Sequence, residues 1–198
     1  MSLNTAEEYL VQADPLLGAV ITTNGHLPAR QKRANYEALV RSIISQQISV
    51  KAAAKIFARY LEATNLQPER ALGLHDEALA EVGLSGQKRR YLHDLALHFV
   101  ENPAVFDHLE NLNDDEVVTE LTRVKGIGVW TAQMFLMMTL QRPDVFAPGD
   151  RGLQLAVMNI YGLVATPSEK DLLEIAEKWR PHRSTASLHL WHSLNNMP

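Results

Sequence analysis

Two short segments of the sequence carry residue types that could do chemistry. In the first, Gly126 and Gly128 stand one residue apart between two helical patterns. In the second, Asp150 follows Pro148 and Gly149 at the start of a further helical pattern. A carboxylate at a helix N-terminus is favoured in its ionised form and can stabilise positive charge that develops in a reaction. From position alone Asp150 equally suits the N-cap of a helix, and the two roles are compatible.

The glycine pair indicates a hairpin that binds an anion through its backbone. Glycine permits positive φ and lets another molecule approach the backbone closely. The helix after Gly128 would begin with free amide groups, which attract phosphate. Val124 and Ile127 would pin the hairpin to the core, and Lys125 adds a positive charge. The alternative is a plain tight turn between packed helices, but these neighbouring residues favour phosphate binding.

Four motifs in the same order make the sequence similar to one superfamily. Residues 124–128 (Val-Lys-Gly-Ile-Gly) resemble the helix–hairpin–helix of the HhH-GPD DNA glycosylases, in which a Gly/Pro loop and a catalytic Asp follow downstream. Residues 146–150 (Phe-Ala-Pro-Gly-Asp) stand at that place. Residues 43–49 resemble another family segment, and residues 179–191 resemble the end of the DNA-3-methyladenine glycosylase II branch. The resemblance extends over residues 36–191.

The resemblance implies a monofunctional DNA glycosylase that removes alkylated bases, of the 3-methyladenine and 7-methylguanine type, from duplex DNA in base excision repair. Breaking the bond between sugar and base places positive charge on the sugar, which the Asp150 carboxylate would stabilise while orienting water. Bifunctional members carry a nucleophilic Lys where this chain has Trp130. No Schiff base can form there, so hydrolysis without strand cleavage is expected. We interpret Asp144, the neighbouring carboxylate, as a loop residue.

The resemblance also implies an electron-rich pocket for the base. Alkylated purines are often cationic, and a desolvated cation–π contact contributes about 2 kcal/mol. Trp130 and Trp191 match pocket aromatics of the glycosylase II branch. Met134, one helical turn from Trp130, stands where some relatives have an aromatic ring. Each tryptophan also suits the core, and we interpret Trp179 as structural.

Two further segments are expected to contact DNA. Flipping a base leaves a gap in the duplex, and the resemblance places the wedge that fills it at Gln47, in a turn between two helices. A polar turn residue or helix cap is the alternative. Gly86 and the free amides after it resemble a second backbone contact that could hold a phosphate. The expected DNA-binding residues are Gln47, Gly86, Gln87, Lys88, Lys125, Gly126, Ile127 and Gly128.

Composition restricts the class of protein and its partners. The formal net charge of −4 argues weakly against nucleic acid, so DNA binding needs a local basic face. Clusters at residues 30–33 and 88–90 could supply one, although each also suits a solvated helix end. The absence of cysteine excludes disulfides, thiolate zinc sites and iron–sulfur clusters.

The expected partner is damaged double-stranded DNA, with no membrane involved. The histidines show no metal-ligand spacing, so we expect no cofactor, apart from a monovalent cation that hairpin carbonyls could bind. The chain shows no secretory signal and no membrane-spanning run. We therefore expect a monomer in the cytoplasm.

Apolar residues recur at helical spacing along almost the whole chain, and strand signals are scarce. The predicted fold is all-α, a two-lobed bundle of short helices with a helix–hairpin–helix motif and a cleft between the lobes. Residues 1–198 are expected to form one glycosylase unit without an N-terminal β-domain. A helical lobe would span about 36–110, and a hairpin and catalytic lobe about 111–198 plus N-terminal helices. Predicted helices are two within 35–63, with Ser49 capping the second, and others at 75–82, 87–102, 114–122, 129–140, 151–161, 168–179 and 184–195.

Two other functions fit parts of the pattern. One is a glycosylase for another lesion, such as a deaminated or etheno base. The other is a non-catalytic helix–hairpin–helix module that binds DNA. Asp150 together with Trp130 and Trp191 favours an enzyme, because binding alone requires none of them.

Overall fold

The structure, a computed structural model, describes residues 2–28 and 32–195, with side chains described as far as residue 194. The helices, numbered along the chain, are α1 (Thr5–Ala13), α2 (Pro15–Asn24), α3 (Asn35–Ser45), α4 (Val50–Thr64), α5 (Pro68–Gly73), α6 (Asp76–Glu81), α7 (Gly86–Glu101), α8 (Pro103–Phe106), α9 (Asp114–Thr122), α10 (Val129–Met138), α11 (Arg151–Tyr161), α12 (Glu169–Ala176) and α13 (Arg183–Asn195), with 3₁₀ turns at Leu109–Asn111 and Glu177–Trp179. These residues contain no strand, which confirms the all-α prediction. None of the helices in the described ranges has the length and apolar character needed to cross a membrane.

Most predicted helices are confirmed, with small changes at their ends. Helices α9 and α11 begin and end at the predicted residues. Ser49 caps α4, because its side chain accepts a hydrogen bond from the Ala52 amide. The sequence pattern does not predict α5 and α8, since both are short and each begins at a proline instead of an apolar stripe.

The chain divides into two compact units. The central unit comprises residues 32–135, with α3 to α9 and most of α10, and the terminal unit comprises residues 1–31 and 136–198, with α1, α2 and α11 to α13. The hairpin at Val124–Gly128 lies in the central unit, whereas the sequence suggested a lobe shared with the C-terminal helices. The physical reason is that the hairpin is hydrogen-bonded to α7 and to the turn after α3.

One face each of α3, α4 and α7 forms the core of the central unit. Apolar residues three and four apart lie on one side of each helix, so each helix buries a continuous stripe. The Tyr36 and Phe99 rings meet edge to face at 5.0 Å, which joins α3 to α7. The buried hydrophobic side chains of these helices are Tyr36, Leu39, Val40, Ile43, Ile44, Phe57, Tyr60, Leu92, Leu95, Ala96 and Phe99.

The terminal unit is built around α13, which packs against α2 and α11. A buried polar contact also joins α1 to α13, since Glu7 lies 3.2 Å from His189 Nε2. Burial raises the pKa of Glu7, but hydrogen bonds from the Asn4 amide and from His26 outweigh it and leave that pKa below its ordinary value. This pair fixes the rotation of α13, the helix that carries Trp191.

Asp14 is a buried carboxylate that ties three parts of the terminal unit together. It caps α2, accepting hydrogen bonds from the Leu16 and Leu17 amides. Its Oδ2 atom also accepts from the Tyr161 hydroxyl on α11 and from Trp179 Nε1, at 2.8 Å in the second case. Trp179 is fully buried, which confirms its structural interpretation.

The charge of Asp14 is stabilised in the folded state. Burial alone raises the pKa of Asp14, but the hydrogen bonds from Tyr161, Trp179 and Lys178 outweigh burial and lower it below its ordinary value. A carboxyl group with a lowered pKa contributes stability above its unfolded pKa of about 3.9, and this contribution is lost as the pH falls through the folded pKa.

We therefore expect Asp14→Asn to lower the free energy of unfolding at pH 7 by about 2 kcal/mol, the size of hydrogen bonds made to a buried charge. The difference from the parent protein should stay constant between pH 7 and pH 4 and shrink at lower pH. Urea denaturation at a series of pH values measures both. A difference that does not change below pH 4 would contradict the assigned charge state.

Candidate active site

Asp150 is the N-cap of α11. Its backbone is extended, with φ −73° and ψ 120°, and its Oδ1 atom accepts a hydrogen bond from the Leu153 amide at 2.8 Å. The cap interpretation from sequence is therefore confirmed. Because the cap fixes the carboxylate at the positive end of the helix dipole, it also gives Asp150 the setting that a charge-stabilising role requires.

Trp191 reaches the same carboxylate from α13. Its indole Nε1 donates a hydrogen bond to Asp150 Oδ1 at 2.8 Å, and its ring is half-buried. Oδ1 therefore accepts from a main-chain amide and from an indole, which orient the carboxyl plane from two directions. Sequence analysis assigned Trp191 only to a base pocket, and its contact with Asp150 adds an orienting role.

Gly152 leaves the space that this contact needs. A Cβ atom at Gly152 would lie 3.0 Å from Trp191 Cδ1 and 3.1 Å from Asp150 Oδ1. Both distances are tighter than ordinary van der Waals contact. A glycine at the second position of α11 thus lets the indole lie against the first turn of the helix.

The loop before Asp150 is fixed to the start of α13. Ser184 Oγ donates to the Arg142 carbonyl at 2.6 Å and accepts from the Val145 amide at 2.9 Å. Arg183 Nε and Nη2 donate to the two carboxylate oxygens of Asp144 at 2.8 and 3.0 Å. Asp144 is thereby a loop anchor, in agreement with its interpretation as a loop residue.

The hairpin of the central unit packs against the ring of Tyr91 at Gly126. Gly126 has φ +86°, and a Cβ atom there would lie 2.1 Å from Tyr91 Cδ2, so no other residue fits without rearrangement. Val124 and Ile127 are buried, which confirms that they pin the hairpin. The Gly128 carbonyl accepts from the Ala132 amide and so begins α10. The first amides of α10 have no carbonyl partner within the helix.

Lys125 contributes less free charge than the sequence suggests. Its Nζ and its amide both donate to the Asp94 carboxylate, each at 2.8 Å. Burial raises the pKa of Asp94, but these bonds from Lys125 outweigh it and lower that pKa below its ordinary value. Asp94 therefore offsets part of the Lys125 charge.

Ser85 caps α7, whose first residues are Gly86 and Gln87. The Lys88 amide donates to Ser85 Oγ at 3.3 Å, so this amide is not free, contrary to the expectation from sequence. The Lys88 ammonium donates to the carbonyls of Ile44 and Gln46 at 2.6 and 2.8 Å. Burial lowers the pKa of Lys88. The phosphate contact predicted here is thus left to the first amides of the helix, at Gly86 and Gln87.

The rest of the basic cluster at residues 88–90 is also partly used inside the protein. Arg89 pairs with Asp76, with 2.7 Å between Arg89 Nε and Asp76 Oδ1. The other basic cluster, at residues 30–33, includes Arg30, which lies outside the described residues. Part of the positive charge of this cluster is therefore offset within the protein.

Gln47 lies in the turn between α3 and α4, as predicted. It is exposed and has φ +58°, a left-handed conformation that costs a non-glycine residue about 1 kcal/mol. The preceding side chain fixes one end of the turn, because Gln46 Nε2 donates to the Gly126 carbonyl at 2.9 Å. The wedge role of Gln47 stays a prediction.

The remaining pocket candidates lie on α10. Trp130, the second residue of this helix, is 49% exposed, which argues against a simple core role. Met134, one turn later, is half-buried. Their assignment to a base pocket stays a prediction, as does a cation at the hairpin. Among the described residues no group of three His, Cys, Asp or Glu could hold a metal ion.

Two carbonyls of the hairpin each accept a hydrogen bond within the protein. The Gly126 carbonyl accepts from Gln46, and the Val124 carbonyl accepts from the Ile127 amide at 3.1 Å. A carbonyl oxygen has two lone pairs, so each could still bind a cation.

Comparison with known proteins identifies the family. The family model for HhH-GPD superfamily base excision DNA repair proteins matches residues 40–182, more than half of the chain. The chain belongs to the HhH-GPD superfamily. The matched residues include both the hairpin and the loop before Asp150.

Two of the similar proteins are named DNA-3-methyladenine glycosylases. The chain is 30% identical over 198 residues to DNA-3-methyladenine glycosylase 1 of Schizosaccharomyces pombe, covering 96% of this chain and 87% of that protein. It is 36% identical over 168 residues to the DNA-3-methyladenine glycosylase of Saccharomyces cerevisiae, covering 76% of this chain and 57% of that protein. It spans 65% of the length of another relative, from Bacillus subtilis.

Solved structures of the superfamily show the same fold. The S. pombe 3-methyladenine DNA glycosylase, solved in complex with abasic DNA, aligns with a TM-score of 0.85 at 28% identity, covering 97% of both chains. DNA-3-methyladenine glycosidase from Bacillus halodurans also aligns with a TM-score of 0.85, at 34% identity, covering 96% of this chain and 89% of that chain.

Sequence reasoning missed several residues that shape this HhH-GPD site. Tyr91 and Gly152 belong to no motif recognised in the sequence. Gln46 lies within residues 43–49, but the resemblance of that segment does not indicate its hydrogen bond to the hairpin. For Gly152 a weak signal exists, since glycine inside a helix is unfavourable and indicates a close approach. For Tyr91 and Gln46 only the folded chain shows the contact.

Gly152→Ala should weaken the Trp191–Asp150 hydrogen bond without unfolding the protein. The added methyl group costs about 1 kcal/mol in crowding, and the better helix propensity of alanine returns about 1 kcal/mol. We expect the indole N–H resonance of Trp191 to move upfield in the NMR spectrum, while the free energy of unfolding hardly changes. Gly73→Ala, which adds a methyl group with no atom within 4 Å, is the control. An unmoved Trp191 resonance in Gly152→Ala would refute the steric argument.

Proposed function

We propose that this HhH-GPD protein is a monofunctional DNA glycosylase that excises alkylated bases, of the 3-methyladenine and 7-methylguanine type, in base excision repair. The observation that carries the proposal is the Asp150 carboxylate, held at the start of α11 by the Leu153 amide and the Trp191 indole. The names of its similar relatives support the substrate class.

The proposed reaction mainly requires a carboxylate held at a fixed position beside the sugar. As the bond between deoxyribose and base breaks, positive charge grows on the sugar, and a carboxylate already oriented in the site stabilises it without reorganising. Both donors bind Oδ1, so the carboxyl plane is set before DNA arrives. A cationic alkylated purine is a good leaving group, so a strong general acid is not needed.

Hydrolysis, without strand cleavage, follows from the residue at the start of α10. The family position of the Schiff-base lysine is filled by Trp130, whose indole nitrogen cannot attack the sugar carbon. Lys125, the neighbouring lysine, is paired with Asp94. Water is therefore the nucleophile, and the product is an abasic site in an intact strand.

DNA binding is proposed to rest on two helix starts of the central unit. The first amides of α10, after Gly128, and of α7, at Gly86 and Gln87, point away from their helices and suit phosphate oxygens. Amide groups bind phosphate without adding formal charge. This explains how a chain with a net charge of −4 could bind DNA.

The substrate class is tested by base release from duplexes that carry 3-methyladenine, 7-methylguanine, ethenoadenine, hypoxanthine or uracil, with and without alkali. Release of the methylated bases, with strand breaks only after alkali, is the expected result. Release of only hypoxanthine, uracil or ethenoadenine would assign another lesion. Strand breaks without alkali would contradict hydrolysis, and binding without any release would favour a non-catalytic DNA-binding module.

Asp150→Asn should lower the single-turnover rate of base release by about 10² to 10³, because one preorganised electrostatic contact is lost. Binding to undamaged duplex should stay within a factor of about two, since phosphate contacts carry that affinity. Asp171→Asn, at an exposed carboxylate in the first turn of α12, is the matched control and should keep full activity. Equal release rates for the Asp150 variant and the parent protein would remove Asp150 from the chemistry.

The two hairpin glycines should differ in their response to the same added methyl group. Gly126→Ala forces a Cβ atom into the Tyr91 ring, so we expect lower stability and weaker DNA binding together. Gly128→Ala meets no atom within 4 Å and changes only the N-cap of α10, so its stability should fall by no more than about 1 kcal/mol while DNA binding weakens by obstructed approach. Thermal unfolding and fluorescence anisotropy with labelled duplex measure the two effects. Unchanged DNA affinity in Gly128→Ala would show that the backbone at Gly128 does not approach DNA.

A further inference from the structure

The Lys88 side chain is used inside the central unit. Its ammonium donates to the Ile44 carbonyl on α3 at 2.6 Å and to the Gln46 carbonyl just after that helix at 2.8 Å. The last carbonyls of a helix have no partner within it and attract a cation. Lys88, although it belongs to α7, therefore acts as a C-terminal cap for α3.

A second bond fixes the same turn from another side. Gln46 Nε2 donates to the Gly126 carbonyl of the hairpin at 2.9 Å. The main chain of Gln46 is thus held by α7 through Lys88, and its side chain is held by the hairpin. Both α7 and the hairpin are proposed to bind phosphate, so the turn is hydrogen-bonded to two segments that would contact DNA.

Gln47 follows directly in this turn. Its φ of +58° is unusual for a residue other than glycine and persists only where the surroundings enforce it. The side chain is exposed, and a groove of about 240 Å³ runs beside it, lined in part by Gln46 and Lys88. Within the turn, the Ile48 amide donates to the Ser45 carbonyl at 3.4 Å. The groove leaves the turn room to change shape, so the hydrogen bonds of Gln46 with α7 and the hairpin add the constraint from outside the turn.

We propose that Lys88 and Gln46 are positioning residues that hold Gln47 in the conformation needed to fill the gap left by a flipped base. The inference rests on the proposed function. It gives Lys88 a role different from the phosphate contact expected from the sequence. It also links the proposed phosphate-binding segments, α7 and the hairpin, to Gln47, the residue expected to fill the gap in the duplex. A loosened turn would raise the cost of holding a base outside the stack and would leave binding to the backbone unaffected.

The test compares a lesion that must be unstacked and unpaired with one that is already unpaired. Lys88→Met removes the ammonium but keeps an unbranched side chain. Single-turnover release is measured with 7-methylguanine opposite cytosine and opposite an abasic site. We expect a loss of about tenfold or more for the paired lesion, because small misplacements of a positioning group cost this much, and a loss below about threefold for the unpaired lesion, which costs less to flip. Lys88→Arg, which keeps the donors, should recover part of the rate.

Lys170→Met, at an exposed lysine of α12, is the control for the loss of one positive charge. The slope of binding affinity against salt concentration should be the same for Lys88→Met and the parent protein. If Lys88 bound a phosphate, that slope would fall by about one and release would slow equally from both duplexes. That result would overturn the proposal.

Dependence on Gln47 gives the second criterion. In a Gln47→Ala background, Lys88→Met should lower the release rate of the paired lesion by less than about twofold, because the side chain that Lys88 positions is gone. A loss of rate in that background as large as in the parent protein would also overturn the proposal. If Lys88→Met does not fold, the double-mutant cycle is measured with Gln46→Leu in its place.

A fluorescent reporter separates this inference from the proposed function. 2-Aminopurine placed beside an abasic analogue reports local unstacking by the protein and needs no base release. A smaller rise of fluorescence in Lys88→Met than in the parent protein supports the positioning role even if no alkylated base is released. An equal rise in both proteins contradicts it.

Discussion

The hydrogen bonds to Asp150 Oδ1 are the interaction on which the proposed chemistry depends. The Leu153 amide and the Trp191 indole reach this atom from α11 and α13, and several features of the terminal unit keep the two helices in register. Gly152 leaves room for the indole, Ser184 holds the loop before Asp150, and Glu7 contacts α13 at His189, two residues before Trp191. A carboxylate constrained in this way can stabilise developing charge without a free-energy cost for reorienting during the reaction.

In the central unit, three basic side chains already have partners within the fold. Lys125 pairs with Asp94, Arg89 pairs with Asp76, and Lys88 binds main-chain carbonyls. The phosphate contacts are therefore proposed at amide groups of helix starts. Net charge is therefore a weak guide to nucleic-acid binding in a protein of this kind, because backbone dipoles can supply the phosphate contacts.

Sequence reasoning predicted the features that depend on neighbours in the chain. The hairpin glycines, the capping of α11 by Asp150 and most helix bounds follow from local patterns. Contacts between residues far apart in sequence could not be predicted in the same way. Trp191 could be assigned to a pocket but not to Asp150, and Lys88 could be recognised as basic, whereas its partners on α3 and in the following turn depend on how α7 packs.

The central claim is that Asp150 stabilises positive charge on the sugar. It is tested most directly by the binding of two uncleavable duplexes that differ only at the lesion, one with a neutral tetrahydrofuran and one with a cationic pyrrolidine. The parent protein should bind the cationic duplex at least about tenfold more tightly, since a transition-state mimic gains the contacts of the transition state, and Asp150→Asn should lose this preference. Equal preference in the two proteins would contradict the account.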